Sequence, residues 1–302
     1  MSISIKGTTK LLGVMGDPVE HSLSPVMHNR AISHLNLDYV YLPLPVKREE
    51  LGKAIAGFEA IGLVGFNITI PHKQAIIPML CEISPTAQMV GAVNTVWRTE
   101  TGWSGTNTDV AGFIAPLKTR ELNWSTIAPV ILGNGGAARA VVVGCAELGC
   151  PEIHVVGRNH QKLDQFFHSW QDSHLQAALK VHSWDKLPGL VSETKLLVNT
   201  TPVGMYPHVK QCPVDETVMA KISPEAIAYD LIYTPNPTQF LKMAKKQGAI
   251  TIDGLEMLVQ QGAAALQMWL NQPVPIDIMR QSLRQHLGLG IGEFPRIPQG
   301  GL

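Results

Sequence analysis

The sequence V-I-L-G-N-G-G-A-A-R-A, residues 130–140, carries the strongest indication of the fold. Three apolar residues run into a glycine-rich turn, and helix-forming residues follow directly. Gly133, Gly135 and Ala138 have the spacing G-x-G-x-x-G/A, which is typical of dinucleotide-binding turns. The first glycine permits a tight turn, the second lets a pyrophosphate approach the backbone, and the small third residue lets helix and strand pack closely. The alternative is a plain strand-to-helix turn.

The residues around this turn alternate between strand and helix patterns, as a parallel sheet requires. Strands are predicted at Val130–Leu132, Ile153–Val156, Lys180–His182, Leu196–Asn199, Ala226–Asp230 and Ala249–Ile252. Helices are predicted at Ala137–Leu148, Gln161–Ser169 and Thr238–Gln247. This is the layout of a Rossmann-type, doubly wound nucleotide-binding domain, and it favours the dinucleotide interpretation of the turn.

The N-terminal part of the chain has its own strands and helices. Strands are predicted at Leu11–Met15, Tyr39–Leu44, Val64–Ile70 and Ala92–Trp97, and helices at Lys47–Ile61 and Val110–Arg120. Two C-terminal helices are predicted at Leu255–Leu270 and Ile276–Leu287. No further strand is predicted beside them, so they are expected to pack back on the first domain. We therefore predict an α/β protein whose N-terminal domain comprises residues 1–112 and 254–302, with a Rossmann-type domain at residues 113–253.

Composition excludes several classes of protein. The 302 residues suggest about two domains. With 24 basic and 24 acidic residues the net charge is zero, which argues against binding to nucleic acid or to a membrane surface. No apolar run of about 18 residues is present to span a membrane, and the N-terminus has no signal core. The four cysteines form no C-x-x-C pair, so reduced thiols in a cytoplasmic protein are expected.

Two serines precede the first apolar helical segment. Ser24 and Pro25 suit the N-cap and first position of a helix. Ser22 is not explained in that way, and two hydroxyls beside a helix N-terminus also form a good site for a carboxylate. Both interpretations of Ser24 stay open at this point.

Lys73 and Asp109 are candidates for charged groups at a ligand-binding edge. Pro71 is predicted to open a short helix after a strand, so Lys73 would lie near the carboxyl end of that strand, where open α/β sheets bind ligands. A solvated surface lysine is the alternative. Asp109 begins a predicted helix, where the helix dipole alone favours an acid. His72 has no second His or Cys at metal-ligand spacing nearby, so no metal site is predicted.

Arg158 bears on the choice of cofactor. An NAD-binding domain usually has Asp or Glu at the end of its second strand, about 20 residues past the glycine-rich turn, to hold the ribose 2′-hydroxyl. This chain has Gly157-Arg158-Asn159 and no acid. An arginine there suits a 2′-phosphate, which favours NADP over NAD. A surface arginine at a strand end is the alternative.

Eight short motifs follow one another along nearly the whole chain. They are H-S-L-S-P-V-M-H-N (21–29), N-I-T-I-P-H-K (67–73), G-A-V-N-T (91–95), G-T-N-T-D (105–109), G-N-G-G-A-A-R-A (133–140), N-T-T-P-V-G-M (199–205), Y-D-L-I-Y-T-P (229–235) and D-G-L-E-M-L-V-Q-Q (253–261). Each is modest alone, but in this order and spacing they resemble the shikimate dehydrogenase family. The resemblance implies an NADP-dependent oxidoreductase that reduces 3-dehydroshikimate to shikimate, on the route to chorismate and the aromatic amino acids.

The resemblance also implies roles for individual residues. The catalytic pair would be Lys73 and Asp109. The substrate would be held by Ser22, Ser24, Thr69, Asn94, Tyr233 and Gln261. The cofactor NADP would be held by Gly133, Asn134, Gly135, Gly136, Ala137, Arg158, Asn159, Leu231 and Gly254. The protein would be a monomer or a homodimer with a small-molecule substrate.

The chain departs from many relatives at Gly157, where they have Asn, so one side-chain contact to the adenosine end of the cofactor is lost. Two rival functions remain. One is a related dehydrogenase that acts on quinate or uses NAD, against which Ser22, Ser24 and Arg158 count. The other is a regulatory or scaffold protein without turnover, which would be expected to have lost the catalytic pair.

Overall fold

A computed structural model describes residues 5–290 of the chain. Its strands are β1 (Lys10–Gly16), β2 (Tyr39–Pro45), β3 (Gly65–Ile68), β4 (Glu82–Ile83), β5 (Thr95–Thr99), β6 (Gly102–Thr106), β7 (Val130–Leu132), β8 (Ile153–Gly157), β9 (Leu179–Ser183), β10 (Leu196–Asn199), β11 (Ile227–Asp230) and β12 (Ile250–Ile252). Its helices are α1 (Ser24–His34), α2 (Leu51–Ala60), α3 (Pro85–Val90), α4 (Asp109–Lys118), α5 (Gly136–Glu147), α6 (His160–His168), α7 (Leu187–Glu193), α8 (Glu216–Met219), α9 (Gln239–Lys246), α10 (Gly254–Leu270) and α11 (Ile276–His286).

The chain divides into two compact units. The first unit comprises the described residues up to Gly112 together with those from Leu258 onward, and the second comprises Phe113–Met257. Each unit contains one six-stranded sheet. The last twelve residues of the sequence, which the domain prediction assigned to the first unit, lie outside the described residues.

The sheet of the second unit is entirely parallel. Its strand order is β12-β11-β10-β7-β8-β9, which is the order of a doubly wound dinucleotide-binding domain. The α/β class and the Rossmann-type topology are therefore confirmed. The strand order reverses between β7 and β10, and ligands of such sheets bind at the carboxyl ends of strands at that point. The glycine-rich turn follows β7 directly.

Helix α5 packs closely because of a small residue. A Cβ at Gly144 would lie 2.6 Å from Cδ1 of Phe113, so only glycine allows this approach. The Phe113 ring in turn stacks on Tyr229, with ring centroids 5.3 Å apart. The apolar core of the second unit thus continues from α5 to strand β11.

The first unit has a mixed sheet with the order β2-β1-β3-β5-β6-β4. Strand β1 is parallel to both neighbours, whereas β5 is antiparallel to β3 and to β6. Strands β4 and β6 were not predicted from the sequence. Strand β6 has the sequence G-W-S-G-T, which lacks an alternating apolar pattern. Its Gly105 allows close packing, because a Cβ there would lie 2.6 Å from Cδ1 of Leu80.

The predicted helix after Pro71 is wrong. The chain forms turns there, followed by one 3-10 turn at Ile77–Met79. Pro78 has no N–H to continue an α-helical hydrogen-bond ladder, so the segment stays irregular. Lys73 accordingly lies in a turn.

The C-terminal helices pack on the first sheet and on α1, as predicted. The indole Nε1 of Trp269 in α10 donates to the carbonyl of Val96, at 2.9 Å. A Cβ at Gly65 would lie 2.2 Å from that nitrogen, so the indole reaches the sheet only because residue 65 is glycine. Helix α11 packs along α1. In residues 5–290 no helix is both long enough and apolar enough to cross a membrane.

Candidate active site

Lys73 and Asp109 form an ion pair in the first unit. The Lys73 Nζ donates to Oδ2 of Asp109 at 2.5 Å, and the two side chains are 28% and 15% exposed. The carbonyl of Lys73 accepts a hydrogen bond from the N–H of Val93, which ties the turn to the segment before β5. The pair is thus partly shielded from water yet open to a small molecule.

Asn94 fixes the orientation of Asp109. Its Nδ2 donates to Oδ1 of Asp109 at 2.8 Å, so both carboxylate oxygens have a donor. The amide oxygen of Asn94 accepts from the N–H of Thr108 at 2.8 Å and from the hydroxyl of Thr95 at 3.0 Å. Since Asn94 is only 2% exposed, this geometry is held by the protein itself.

Two residues behind this cluster were missed by the sequence analysis. The hydroxyl of Tyr41 donates to Oδ1 of Asn67 at 2.7 Å. The Nδ2 of Asn67 donates to the carbonyl of Asn94 at 3.1 Å and to the hydroxyl of Thr95 at 3.0 Å. A buried asparagine within the apolar strand β3 is the signal that could have revealed the network, because buried polar groups are nearly always hydrogen-bonded.

Ser24 and Ser22 lie at the start of α1. Ser24 is the first helical residue, and the N-cap position belongs to Leu23, whose side chain makes no capping bond. Ser22 Oγ accepts from the N–H of Ser24 at 3.3 Å. The hydroxyl of Ser24 instead hydrogen-bonds Tyr41, whose own pKa is raised by burial. The capping interpretation of Ser24 therefore does not describe this helix.

His28 packs against Tyr41 and contacts the first turn of α1. Its ring stacks on Tyr41 with centroids 4.1 Å apart and an interplanar angle of 10°. Its Nδ1 is 2.8 Å from the carbonyl oxygen of Ser24, and its Nε2 is 3.2 Å from that of Gly262. Burial lowers the pKa of His28 to about 4, so the ring is neutral at physiological pH. The stacked rings of His28 and Tyr41 thus contact the start of α1 at Ser24.

The remaining predicted substrate residues are divided between the units. Thr69 follows β3, and its N–H donates to the carbonyl of Met15 at 2.8 Å. Gln261 lies in α10, where its Nε2 donates to the carbonyl of Leu258 at 2.8 Å. Tyr233 belongs to the second unit, and burial raises the pKa of its phenol.

The glycine-rich turn of the second unit leaves its backbone open. Gly133 has φ +100°, and a Cβ there would lie 3.0 Å from Thr200 Oγ1. No atom lies within 4 Å of the Cβ positions of Gly135 and Gly136. Gly135 is the N-cap of α5 and offers no side-chain cap, and the first turn contains no acid. The first N–H groups of α5 are therefore available to an anion, and the space in front of them suits a pyrophosphate.

Asn134 and Gly157 are neighbours beside this turn. The Asn134 Nδ2 is buried without a hydrogen-bond partner in the protein. A Cβ at Gly157 would lie 2.9 Å from Cδ2 of Leu163 and 3.4 Å from Oδ1 of Asn134. A side chain at position 157 would thus require Leu163 to move.

Arg158 and Asn159 follow β8. The guanidinium carbon of Arg158 lies 4.7 Å from the centroid of the Trp184 ring, and both residues leave their strands at the same sheet edge. Asn159 is the N-cap of α6, and its Oδ1 accepts from the N–H of Lys162 at 2.9 Å. The sequence analysis did not identify Trp184, because nothing near residue 184 in the chain points to residue 158.

Leu231 and Gly254 meet at the end of β11. A Cβ at Gly254 would lie 2.1 Å from the carbonyl oxygen of Leu231, so α10 begins where only glycine fits. In the described part of the chain no three His, Cys, Asp or Glu side chains are grouped so that they could hold a metal ion.

Comparisons with known proteins agree with this arrangement. The family model of the shikimate dehydrogenase substrate-binding domain matches residues 14–96, and that of the shikimate 5′-dehydrogenase C-terminal domain matches residues 254–284. A protein from Gloeothece citriformis (strain PCC 7424) named shikimate dehydrogenase (NADP(+)) is 70% identical over 285 residues, which cover 94% of this chain and 99% of the relative. The chain belongs to the shikimate dehydrogenase family.

Solved structures that are similar to this chain share its fold over more than nine-tenths of its length. Shikimate 5-dehydrogenase from Listeria monocytogenes, solved with shikimate and NAD, is 32% identical with a TM-score of 0.85, covering 94% of this chain and 99% of that one. The 5-ketofructose reductase of Gluconobacter sp. strain CHM43 is 34% identical with a TM-score of 0.83, covering 93% and 100%. The fold is therefore shared by enzymes with different substrates, and the substrate must be argued from the site.

Proposed function

We propose that this protein is an NADP-dependent shikimate dehydrogenase that catalyses the reversible reduction of 3-dehydroshikimate to shikimate. One observation carries the proposal: the hydrogen-bonded cluster of Lys73, Asp109 and Asn94 occurs in a chain 70% identical to a shikimate dehydrogenase (NADP(+)) over nearly its full length.

Lys73 is proposed to be the catalytic acid–base group. When bound, NADPH supplies the hydride that is added to the ring carbonyl carbon of the substrate. Negative charge then develops on the carbonyl oxygen. The Lys73 ammonium stabilises this charge and delivers the proton that completes the alcohol. In the oxidative direction neutral Lys73 accepts that proton.

Asp109 and Asn94 are proposed to prepare Lys73 for this role. The Asp109 carboxylate holds the lysine Nζ at 2.5 Å, and it is itself held by Asn94 Nδ2 at 2.8 Å. An ammonium group that is already in position does not have to reorient when the oxyanion forms. Such preorganisation is the main source of electrostatic catalysis. Asp109 and Asn94 are also proposed to hydrogen-bond the ring hydroxyls next to the reacting carbon.

The substrate carboxylate is proposed to bind at the start of α1. Two hydroxyls, those of Ser22 and Ser24, lie there at the N-terminus of a helix, and hydroxyl donors can bind a carboxylate. Thr69, Tyr233 and Gln261 are proposed to complete the contacts to the ring hydroxyls and the carboxylate.

NADP is proposed to bind to the second unit. The open glycine positions, the uncapped N-terminus of α5, the unpartnered Nδ2 of Asn134 and the exposed Arg158 fit the two charged parts of that cofactor. The pyrophosphate would be held by Gly133, Asn134, Gly135, Gly136 and Ala137, the adenosine 2′-phosphate by Arg158 with Asn159, and the nicotinamide side by Leu231 and Gly254. Residues 1–112 and 254–302 would then form the substrate domain, and residues 113–253 the NADP domain.

We further propose that the enzyme acts in the cytoplasm as a monomer or a homodimer. The four cysteines of the sequence are all free thiols, which suits a reducing compartment. Light scattering on the purified protein would decide between the two assemblies, and a larger assembly would contradict both.

The function is tested by following the absorbance of the reduced cofactor. The wild-type protein is expected to oxidise shikimate with NADP, and this pair should have the highest kcat/KM among combinations of shikimate or quinate with NADP or NAD. The reverse reaction is measured with 3-dehydroshikimate and, as a control, 5-ketofructose. Absence of shikimate turnover, or a higher kcat/KM for quinate, 5-ketofructose or NAD, would overturn the proposal.

A further inference from the structure

Trp184 and Arg158 leave the sheet side by side. Strands β8 and β9 are parallel neighbours, and their last residues, Gly157 and Ser183, are paired in register. The next residue of each strand is therefore Arg158 on one and Trp184 on the other. The Arg158 guanidinium lies over the Trp184 ring, 4.7 Å from its centroid.

The Trp184 ring is held in place by the apolar core. Trp184 is half-buried and packs against the core cluster that contains Val156, Leu187 and Val191. It also begins a 3-10 turn, Trp184–Lys186, which fixes its backbone directly after β9. The ring is thus a rigid surface, whereas Arg158 has an exposed and otherwise flexible side chain.

The donors of Arg158 stay available for a ligand. Within residues 5–290 Arg158 forms no ion pair with a carboxylate. A cation–π contact uses the face of the planar guanidinium and leaves its N–H groups free at the edge. A guanidinium can then bind a phosphate through two parallel hydrogen bonds, and little side-chain entropy is lost because the ring already restricts it.

We infer that Trp184 is a positioning residue for the adenosine 2′-phosphate of the cofactor and contributes, through Arg158, to the preference for NADP over NAD. This inference rests on the proposed function for the identity of the cofactor. Trp184 itself is not expected to touch the phosphate. Its effect should therefore appear only with ligands that carry a 2′-phosphate and only when Arg158 is present.

Calorimetric titration with two cofactor fragments tests the inference without turnover. The fragments are adenosine 2′,5′-bisphosphate and adenosine 5′-monophosphate, and the proteins are the wild type, Trp184→Leu, Trp184→Phe and Arg158→Ala. Trp184→Leu should weaken binding of the bisphosphate by about two- to five-fold, which corresponds to one exposed cation–π contact. Binding of the monophosphate should not change, and Trp184→Phe should restore most of the loss because it keeps an aromatic face.

Two controls and one replacement variant make the test specific. Trp124→Leu removes a half-buried tryptophan that also begins a 3-10 turn in the second unit, and it should leave both affinities unchanged. In the Arg158→Ala background, Trp184→Leu should have no further effect on bisphosphate binding. If Trp184→Leu does not fold, Trp184→Met, which fills space flexibly but has no aromatic face, takes its place.

The outcomes are distinguishable. The role of Trp184 would be overturned if Trp184→Leu weakened binding of both fragments equally or did not weaken binding of the bisphosphate. It would also be overturned if Trp184→Leu weakened bisphosphate binding to the same extent in the Arg158→Ala background. If the wild type binds the bisphosphate no more tightly than the monophosphate, the proposed NADP preference fails and the inference fails with it. If the wild type prefers the bisphosphate and Trp184→Leu binds it equally well, the inference is contradicted while the proposed function stands.

Discussion

Lys73 and Asp109 are 36 residues apart in the chain, yet Nζ of the first lies 2.5 Å from Oδ2 of the second. One residue lies in the turn after β3 and the other begins α4. Strands β4, β5 and β6 intervene, and the pairing of β5 with β3 and of β6 with β5 returns the chain to the same sheet edge. The ion pair is therefore a product of the mixed sheet rather than of any local motif.

Lys73→Ala is expected to abolish most turnover without unfolding the protein. Loss of one positioned acid–base group lowers rates by about 10²–10⁴-fold. Shikimate oxidation and thermal unfolding are both measured. Lys53→Ala is the matched control, because Lys53 also pairs with a carboxylate, that of Glu50, but its side chain is 81% exposed. Activity of Lys73→Ala within a few-fold of the wild type would exclude Lys73 as the catalytic group.

The double substitution Ser22→Ala with Ser24→Ala should weaken binding of shikimate far more than binding of NADPH. Each hydrogen bond lost to a charged group costs about 1.5–3 kcal/mol, and of the two ligands only shikimate, through its carboxylate, is expected to contact these hydroxyls. The two ligands are titrated separately. Equal losses for both would show that the serines support the fold instead of the carboxylate.

Arg158→Ala should lower kcat/KM for NADP by about 10-fold or more, equivalent to about 1.4 kcal/mol, and barely change that for NAD. The reason is that NAD has no 2′-phosphate for the guanidinium to bind. Steady-state kinetics with each cofactor check this expectation. A parallel decrease for both would mean that Arg158 stabilises the loop after β8.

Tyr41→Phe should destabilise the first unit by about 1–3 kcal/mol, because Oδ1 of buried Asn67 loses its donor while the ring still stacks on His28. The free energy of unfolding is measured in urea. Tyr39→Phe, on the same strand but only half-buried, should stay within about 0.5 kcal/mol of the wild type. Equal effects of the two substitutions would contradict the importance of the Tyr41–Asn67 bond.

Asp230 should make stability depend on pH. Burial raises its pKa from the ordinary 3.8 to about 6 although Thr238, Ile232 and Asn199 donate hydrogen bonds to it. Between these two pH values the folded protein binds more protons at this carboxyl than the unfolded chain does. Its contribution to stability is therefore full below about pH 4 and is lost as pH rises to about 6.

Asp230→Asn keeps the shape of the side chain and removes the titration. The stability of this variant relative to the wild type should increase between pH 4 and pH 7, by up to about 3 kcal/mol for a shift of about two pKa units. Urea unfolding at several pH values measures the difference. A difference that stays constant with pH would show that Asp230 titrates normally in the folded protein.

Much of the fold could be predicted because it depends on local patterns. The six strands of the second unit were located to within one or two residues, since each is a short apolar run bounded by turn residues. In the first unit, strand β6 was missed because it lacks an alternating apolar pattern and because its Gly105 is required by the close approach of Leu80. The helix predicted after Pro71 was also wrong, because Pro78 has no N–H to continue an α-helical hydrogen-bond ladder.

The sequence by itself determined the doubly wound second domain, the family and the residue types at the candidate site, because motifs and hydrophobic periodicity are local properties of the chain. Only the tertiary structure decided that Asn94 holds Asp109, that Tyr41 and Asn67 lie behind them, and that Trp184 lies under Arg158. These contacts join residues on different strands or helices. Strand register and packing bring such residues together, and no short-range pattern records which distant side chain completes a hydrogen bond or covers an aromatic ring.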